Sequence, residues 1–299
     1  MVHSEVIDGV CVAMINFFRT ISVFYQNPFI NPYLASLRHI GWAFRKIFNL
    51  FPCEVQLGDR SLLIPNRAIA NGSGALANAM GYYDPNNMFF IEEIFHKGIY
   101  DTFFDIGSNI GIYSLIAAGR AKRSKAFAFE PHPYTFALLN ENVHLNHQED
   151  NILCYQLALS DQNGVVLFKD IPGHPENQVL DDLVPGRNAI EVRAYRGDDF
   201  CKQMGLRLPP QVIKIDVEGH ENHVLAGFSS ILEDVQLIFI ECWALEKTVD
   251  LLCGRSIFLG PYKIDYRKRR FVRVDCSYED WVFVNSKALD TLKHLMTFE

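Results

Sequence analysis

From Thr102 onward the chain alternates short runs of consecutive apolar residues with longer segments whose apolar residues recur every three or four positions. That alternation predicts a parallel sheet with crossover helices. The predicted strands are Thr102–Ile106, Ala126–Phe129, Ile152–Leu157, Val212–Ile215 and Gln236–Ile240, and their near-continuous apolar character suits strands covered on both faces. Helices are predicted over Ile110–Ala118, Pro133–Leu145 and Glu221–Leu232. The second has the clearest local signature: Pro133 suits the first turn, Phe136, Leu139 and Val143 recur at helical spacing, and Asn146 can close the helix. Arg270–Asp275 and Trp281–Asn285 alternate around a polar turn and predict an antiparallel hairpin.

The first part of the chain reads differently. Val10–Phe18 is apolar but too short to span a bilayer, and Thr20–Leu37 carries Pro28, Pro32 and three amides, which argue against a transmembrane helix. Leu34–Phe51 is amphipathic, with Leu37, Ile40, Phe44 and Phe48 near one face. A helix packed on the main domain is favoured there, with peripheral membrane contact as the rival. The expected organisation is a helical extension or cap over residues 1–75 and one α/β domain over 76–299.

With 49% hydrophobic and 21% charged residues among 299, the chain has the composition of an ordinary globular protein. A net charge of −7 gives no global attraction to phosphate backbones, so nucleic acid is not an expected partner. Seven cysteines scattered singly lack zinc or redox spacing and point to reduced thiols in the cytoplasm.

Candidate chemistry begins at D-I-G-S-N-I-G, Asp105–Gly111, between an apolar strand and an apolar helix. Gly107 can take a backbone geometry closed to other residues, and Gly111 lets the helix approach the sheet. Amides at the start of the helix can receive a carboxylate, and Asp105 offers charge for an ammonium beside it. Glu130 ends the next strand, where an acidic side chain can accept from both hydroxyls of a ribose. Together these features point to a nucleoside cofactor. A dinucleotide fingerprint needs a further glycine where Ser108, Asn109 and Ile110 stand, whereas S-adenosylmethionine, having no pyrophosphate, does not.

A second block, Lys214–Glu221, bears on mechanism. Lys214 and Asp216 share one face of a strand, and a buried lysine requires a counter-ion, with Asp216 or Glu241 as candidates. Asp216 also ends that strand, where open α/β sheets hold ligands. Glu218, His220, Glu221 and His223 suggest a metal set, but a solvated helix start is the favoured reading, so no metal is expected; His220 remains a candidate proton acceptor. The basic run Tyr266–Arg270 reads as a solvated turn before contact with an acidic sugar, a lipid headgroup or RNA, and Tyr82, Tyr83 and Trp243 read as packing before sugar stacking.

Four ordered blocks together resemble the FkbM-type methyltransferases: FFDIGSNIGIYSLIAA at Phe103–Ala118, FEPHPYTFALLNENVHLN at Phe129–Asn146, ALSDQNG at Ala158–Gly164, and VIKIDVEGHENHVLAGF at Val212–Phe228 followed by FIE at Phe239–Glu241. The resemblance runs from about Tyr83 to Cys242. It implies a class I methyltransferase fold, a Rossmann-like doubly wound, mostly parallel sheet with a C-terminal antiparallel hairpin. It implies O-methylation with S-adenosylmethionine, often of sugars in glycans or glycosylated natural products. It further implies that Asp105, Gly107, Asn109, Gly111 and Glu130, with Ser108 in the same loop, line the cofactor, and that the Ala158–Asp161 turn lies near the adenine. The expected catalytic group is Asp216, with Glu218 and His220 as alternatives, acting on a small-molecule or glycan acceptor. A nicotinamide-dependent oxidoreductase and a noncatalytic cofactor-binding scaffold are the rival readings.

Overall fold

The computed structural model of the chain describes residues 31–64, 81–82, 84–119, 124–171, 177–180, 188–206, 209–242, 244–254, 256–273 and 280–299. The Val10–Phe18 run, Tyr83 and Trp243 lie outside these. Two units divide the chain, Met1–Pro85 and Asn86–Glu299.

In the first unit, helix α1 (Pro32–Ile47) starts where Asn31 caps it, its side chain accepting from the amides of Tyr33 and Leu34 at 3.0 and 3.2 Å, with Pro32 in the first turn. The helix buries Ala35 and Trp42, and Trp42 meets Phe51 edge to face at 5.8 Å between ring centres. Strands β1 (Cys53–Leu57) and β2 (Arg60–Ile64) then form an antiparallel hairpin turned by Gly58 and Asp59, burying Val55, Leu57, Leu62 and Ile64. The extension is therefore not wholly helical. Gly58, at φ +61°, supplies the positive φ that so short a turn demands.

The second unit takes its elements in the following order: α2 (Pro85–His96), which begins at the boundary, β3 (Thr102–Ile106), α3 (Ile112–Ala118), β4 (Lys125–Phe129), α4 (Pro133–Leu145) and β5 (Ile152–Tyr155). Four strands follow, β6 (Ala158–Ser160), β7 (Gly164–Lys169), β8 (Val179–Leu180) and β9 (Ala189–Arg196), then α5 (Gly197–Gln203), β10 (Val212–Ile215), α6 (Glu221–Gly227), β11 (Leu237–Glu241) and α7 (Leu245–Cys253). The chain closes with β12 (Phe258–Asp265), β13 (Arg270–Arg273), β14 (Asp280–Asn285), α8 (Leu289–Leu292) and β15 (Thr297–Phe298).

Nine strands form the main sheet in the order β15-β13-β12-β14-β11-β10-β3-β4-β5. From β11 to β5 neighbours run parallel, and β14 lies antiparallel between β11 and β12. A four-stranded sheet, β6-β9-β7-β8, stands apart with its own small core of Ala158, Val166, Phe168, Val192 and Ala194.

Three predicted elements are corrected. The run Ile152–Leu157 breaks at Gln156, where the Leu157 amide bonds the Tyr155 carbonyl at 3.0 Å and sends the chain into the second sheet. The helix from Glu221 ends at Gly227, not Leu232, where the chain tightens into turns with the Phe228 amide bonding the Leu225 carbonyl at 3.1 Å; Gly227 itself lies so close to Ser160 that a Cβ there would be 2.1 Å from its carbonyl oxygen. The predicted hairpin strands β13 and β14 do not pair with each other. Both pair with β12, a strand concealed by Gly260–Pro261, where its register against β14 shifts between Leu259 and Tyr262.

The main core gathers on one face of the central strands. Phe104 of β3 is fully buried and meets Phe127, Phe129, Phe200 and Phe228 at centroid distances of 5.0 to 6.2 Å. Phe104→Ala is expected to destabilise the chain by about 3–5 kcal/mol through lost contact and a residual cavity, measured as a lowered urea midpoint at unchanged slope.

Candidate active site

Because β3, β4, β10 and β11 are parallel and in register, their carboxyl ends form one edge, bearing Gly107, Glu130, Asp216 and Glu241. The antiparallel β14 brings its first residue, Asp280, directly opposite Glu241. The chain leaves β3 toward β4 on one side, and β10 lies on the other. In open sheets that reversal makes a ligand crevice.

The Asp105–Gly111 loop is built against this edge. The amides of Gly107 and Ser108 both donate to the Phe129 carbonyl at 3.0 Å, and the Asn109 amide donates to Oε2 of Glu130 at 3.0 Å. Gly107, at φ +79°, is fixed by the protein itself: a Cβ there would lie 1.8 Å from the carbonyl oxygen of Asp216. Gly111, at φ +91°, precedes α3, and a Cβ on it would strike Leu139 of α4 at 2.7 Å. The helix accordingly starts at Ile112, not Ile110, since Gly111 is left-handed.

Asp105 is buried and turned into the helix, its Oδ2 accepting from the amide and hydroxyl of Ser114 at 2.9 and 2.6 Å. Burial raises its pKa, opposed by the Lys214 charge and the Ser114 bonds. The amides of Gly107, Ser108, Asn109, Gly111 and Ser114 are all spent on protein acceptors, so the expectation that the loop greets an anion with its backbone is narrowed by internal bonding.

Glu130 is buried, accepting from the His132 amide through Oε1 at 2.9 Å as well as from Asn109. Burial pushes its carboxyl up to about 7 against the pull of those two amides. Close by in the chain, Ser108 Oγ and His132 Nδ1 are buried and have no hydrogen-bond partner, while His132 Nε2 meets Asp170 at 3.0 Å. Unspent buried polar atoms of this kind fit a polar ligand, here the hydroxyls of a nucleoside.

Next to this seat lies one buried cation. Lys214 donates to Asp216 Oδ2 at 2.7 Å, and its Nζ stands 4.6 Å from the ring centre of Tyr113. Burial alone would lower the ammonium's pKa, but Asp216, Asp280 and Asp105 outweigh it and raise it. Asp216 rather than Glu241 is thus the direct partner. Burial, with the charges of Asp216 and Asp280, pushes Glu241 up to about 7, and Glu218 acts in the same direction.

His220 goes elsewhere. Its Nε2 is 2.9 Å from Ser160 Oγ, its ring stacks on His223 at 4.5 Å, and His223 Nδ1 meets Asp161 Oδ2 at 3.0 Å. That bond is the leading influence holding Asp161 below the usual carboxylate range. The structure thus brings the Ala158–Asp161 turn against the His220–His223 segment. Glu221 folds back to the Gly219 amide at 2.6 Å. Among the described residues no group of three or more His, Cys, Asp or Glu is arranged to hold a metal. In the basic run, Arg269 pairs with Glu93 and Arg270 with Glu299, while Lys268 and Arg270 both approach Asp265.

Sequence reasoning missed Asp280 and the unpartnered atoms of Ser108 and His132. Asp280 has a local signal only once β14 is paired with β11, because cross-strand position, not spacing, brings it to the edge.

A doubly wound parallel sheet with an antiparallel strand inserted beside β11, and with a glycine loop and an acidic residue at successive strand ends, defines a class I methyltransferase domain. Residues 105–248 match the family model of the methyltransferase FkbM domain. The matched segment, a little under half of the 299 residues, is thus similar to the S-adenosylmethionine-dependent methyltransferases of that family. It is 31% identical over 144 residues to the hexuronic acid methyltransferase AglP of Haloferax volcanii, a match covering 48% of this chain and 56% of that protein. It is 29% identical over 152 residues to the 2-O-methyltransferase NoeI of Sinorhizobium fredii, covering 46% and 61%, and 26% identical over 207 residues to the methyltransferase sdnD of Sordaria araneosa, covering 56% and 80%. In the first two of these the chain spans less than two thirds of the relative's length.

The state of Glu130 sets an expected pH dependence. With Glu130 as the expected acceptor for the ribose hydroxyls, which would donate to its ionised carboxylate, cofactor affinity should be full above pH 7 and fall as the pH drops below it. By calorimetry S-adenosylhomocysteine should bind on the order of tenfold more weakly at pH 5.5 than at pH 7.5, and Glu130→Gln should bind weakly at both.

Proposed function

We propose that the chain is an S-adenosylmethionine-dependent O-methyltransferase acting on a hydroxyl of a sugar, a glycan or a glycosylated natural product. The observation that carries the reading is the placement of one carboxylate set, Asp216, Glu241 and Asp280, around buried Lys214 at the strand edge that also bears the Gly107 loop and Glu130. The printed names of AglP and NoeI, a hexuronic acid methyltransferase and a 2-O-methyltransferase, support a hydroxyl acceptor of this class.

When bound, the cofactor supplies an electrophilic methyl on a sulfonium. Glu130 holds the ribose, and Ser108 and His132 offer further polar contacts. An aliphatic hydroxyl is a poor nucleophile while it keeps its proton, so a base is needed, and base catalysis is most effective when its pKa lies near the working pH. Glu241, raised to about 7, meets that condition. Asp216 is held through Oδ2 by Lys214, and a carboxylate fixed in this way is suited to orienting the hydroxyl. Glu218 and His220 are the alternatives, the first through its charge on Glu241 and the second only if the acceptor reaches Ser160.

Activity is tested with isotopically methyl-labelled cofactor over a panel of glycans and glycosides. Selective binding of NADH would favour the oxidoreductase, and cofactor binding with no transfer across the panel would favour the scaffold. With an acceptor in hand, Glu241→Gln should lower turnover about a hundredfold and abolish the rise of rate through pH 7. Asp216→Asn should lower turnover similarly yet keep a rise, moved to lower pH because the Asp216 charge that helps raise Glu241 is gone. A rise that persists in Glu241→Gln removes Glu241 as the base, and near-normal turnover in folded Asp216→Asn removes the orienting role.

Turnover is also expected to survive exhaustive chelation, because His220, Glu221 and His223 are committed to Ser160, Gly219 and Asp161. Loss of turnover on chelation with recovery on adding one divalent ion would bring Asp216, Glu218 and Glu241 back as ligands.

A further inference from the structure

Helix α1 is turned opposite to a normal surface helix. Its packed stripe is Ala35 and Trp42, with Ser36, His39 and Lys46 half-buried beside them, while its large apolar residues face outward. Tyr33, Leu37, Ile40, Phe44, Ile47 and Phe48 are all exposed, Leu37 at 67% and Ile47 at 73%. At 100° per residue these six fall within a single arc of about 100°. Arg45 and Arg38, both exposed, lie about 60° and 80° beyond one edge of that arc, a reach that long cationic side chains can span toward a charged surface.

An apolar arc this size costs solubility unless something covers it. Local charge indicates what does. The sequence from Gly9 to Cys53 contains no Asp or Glu, although it belongs to a chain with 35 of them, and it carries Arg19, Arg38, Arg45 and Lys46. Cations without acidic neighbours beside an apolar face that includes aromatics are the composition of a helix lying in the plane of a membrane interface. Among the described residues no helix is long and apolar enough to cross a membrane, and α1 has 16 residues.

We propose that α1 docks the chain in-plane on a lipid surface bearing anionic headgroups, its apolar arc in the interface and its arginines on the phosphates. The inference stands on the Met1–Pro85 unit and is independent of the acceptor or cofactor. It takes up peripheral membrane contact, the rival reading of this face in the sequence, because the stripe bearing Trp42 is the buried one.

The test is flotation of the 299-residue chain with vesicles of phosphatidylcholine alone and of phosphatidylcholine mixed with phosphatidylserine. Binding to the mixed vesicles should be stronger on the order of tenfold or more, since two cations act together, and should weaken with salt. The double variant Leu37→Glu with Phe44→Glu should abolish flotation at unchanged thermal unfolding. Val165→Glu, at an exposed apolar position in the other unit, should float normally. Equal binding to both vesicles, or flotation that survives the double variant, overturns the proposal. So does a chain that does not float and is instead a dimer dissociated by the double variant, which would make a second copy the occupant. A monomer that does not float likewise overturns it.

Discussion

An ammonium in the middle of a parallel sheet has to be neutralised, and most of the strand edge is arranged around that need. Lys214 lies on β10, whose neighbours β3 and β11 exclude water from either side, and its head is met by Asp216 one pleat further on and by the face of Tyr113. Asp105 adds charge from the neighbouring β3 and Asp280 from β14, one strand beyond β11. The like charges of Glu241 and Asp280, directly opposed across β11 and β14, would repel if left alone. The ammonium lets them coexist, and their residual repulsion, added to burial, keeps the Glu241 proton near neutrality. Structure and proton chemistry thus come from the same charge arrangement.

The same edge explains why the glycine loop has no freedom. Asp216 donates its amide to Ile106 at 3.0 Å, and its own carbonyl occupies the space where a side chain at position 107 would be. The loop and the Asp216 segment are therefore locked to each other by backbone. A change in one should be felt by the other without any ligand between them.

Much of this was legible in the sequence because it depends on local order. The parallel strands are continuous apolar runs, and the loop and Glu130 follow the strands that position them. Lys214 and Asp216 share a face by simple alternation. What escaped depends on distant pairing or on broken periodicity. Gly260–Pro261 hid β12, so β13 and β14 were read as partners. Asp280 became part of the edge only through that corrected order, and the close approach of Ser160 to Gly227 joins segments far apart in the chain. The amphipathic pattern of α1 was plain, but periodicity gives a face without saying whether it points inward.

Helix α1 also shows why that question needs more than hydropathy. The single residue Trp42, buried with its large ring against Phe51, anchors the helix by a stripe that is mostly small or polar. One well-seated aromatic can bury more area than several aliphatics resting on a flat surface. Its choice of partner then fixes the rotation of the whole helix, and the remaining apolar residues are carried outward together. The sequence around it contains no acidic residue to counter the arginines beside them, so the outward face is both apolar and cationic. Two features that would be unfavourable in a helix meant to face water are consistent with each other if the helix faces an anionic interface.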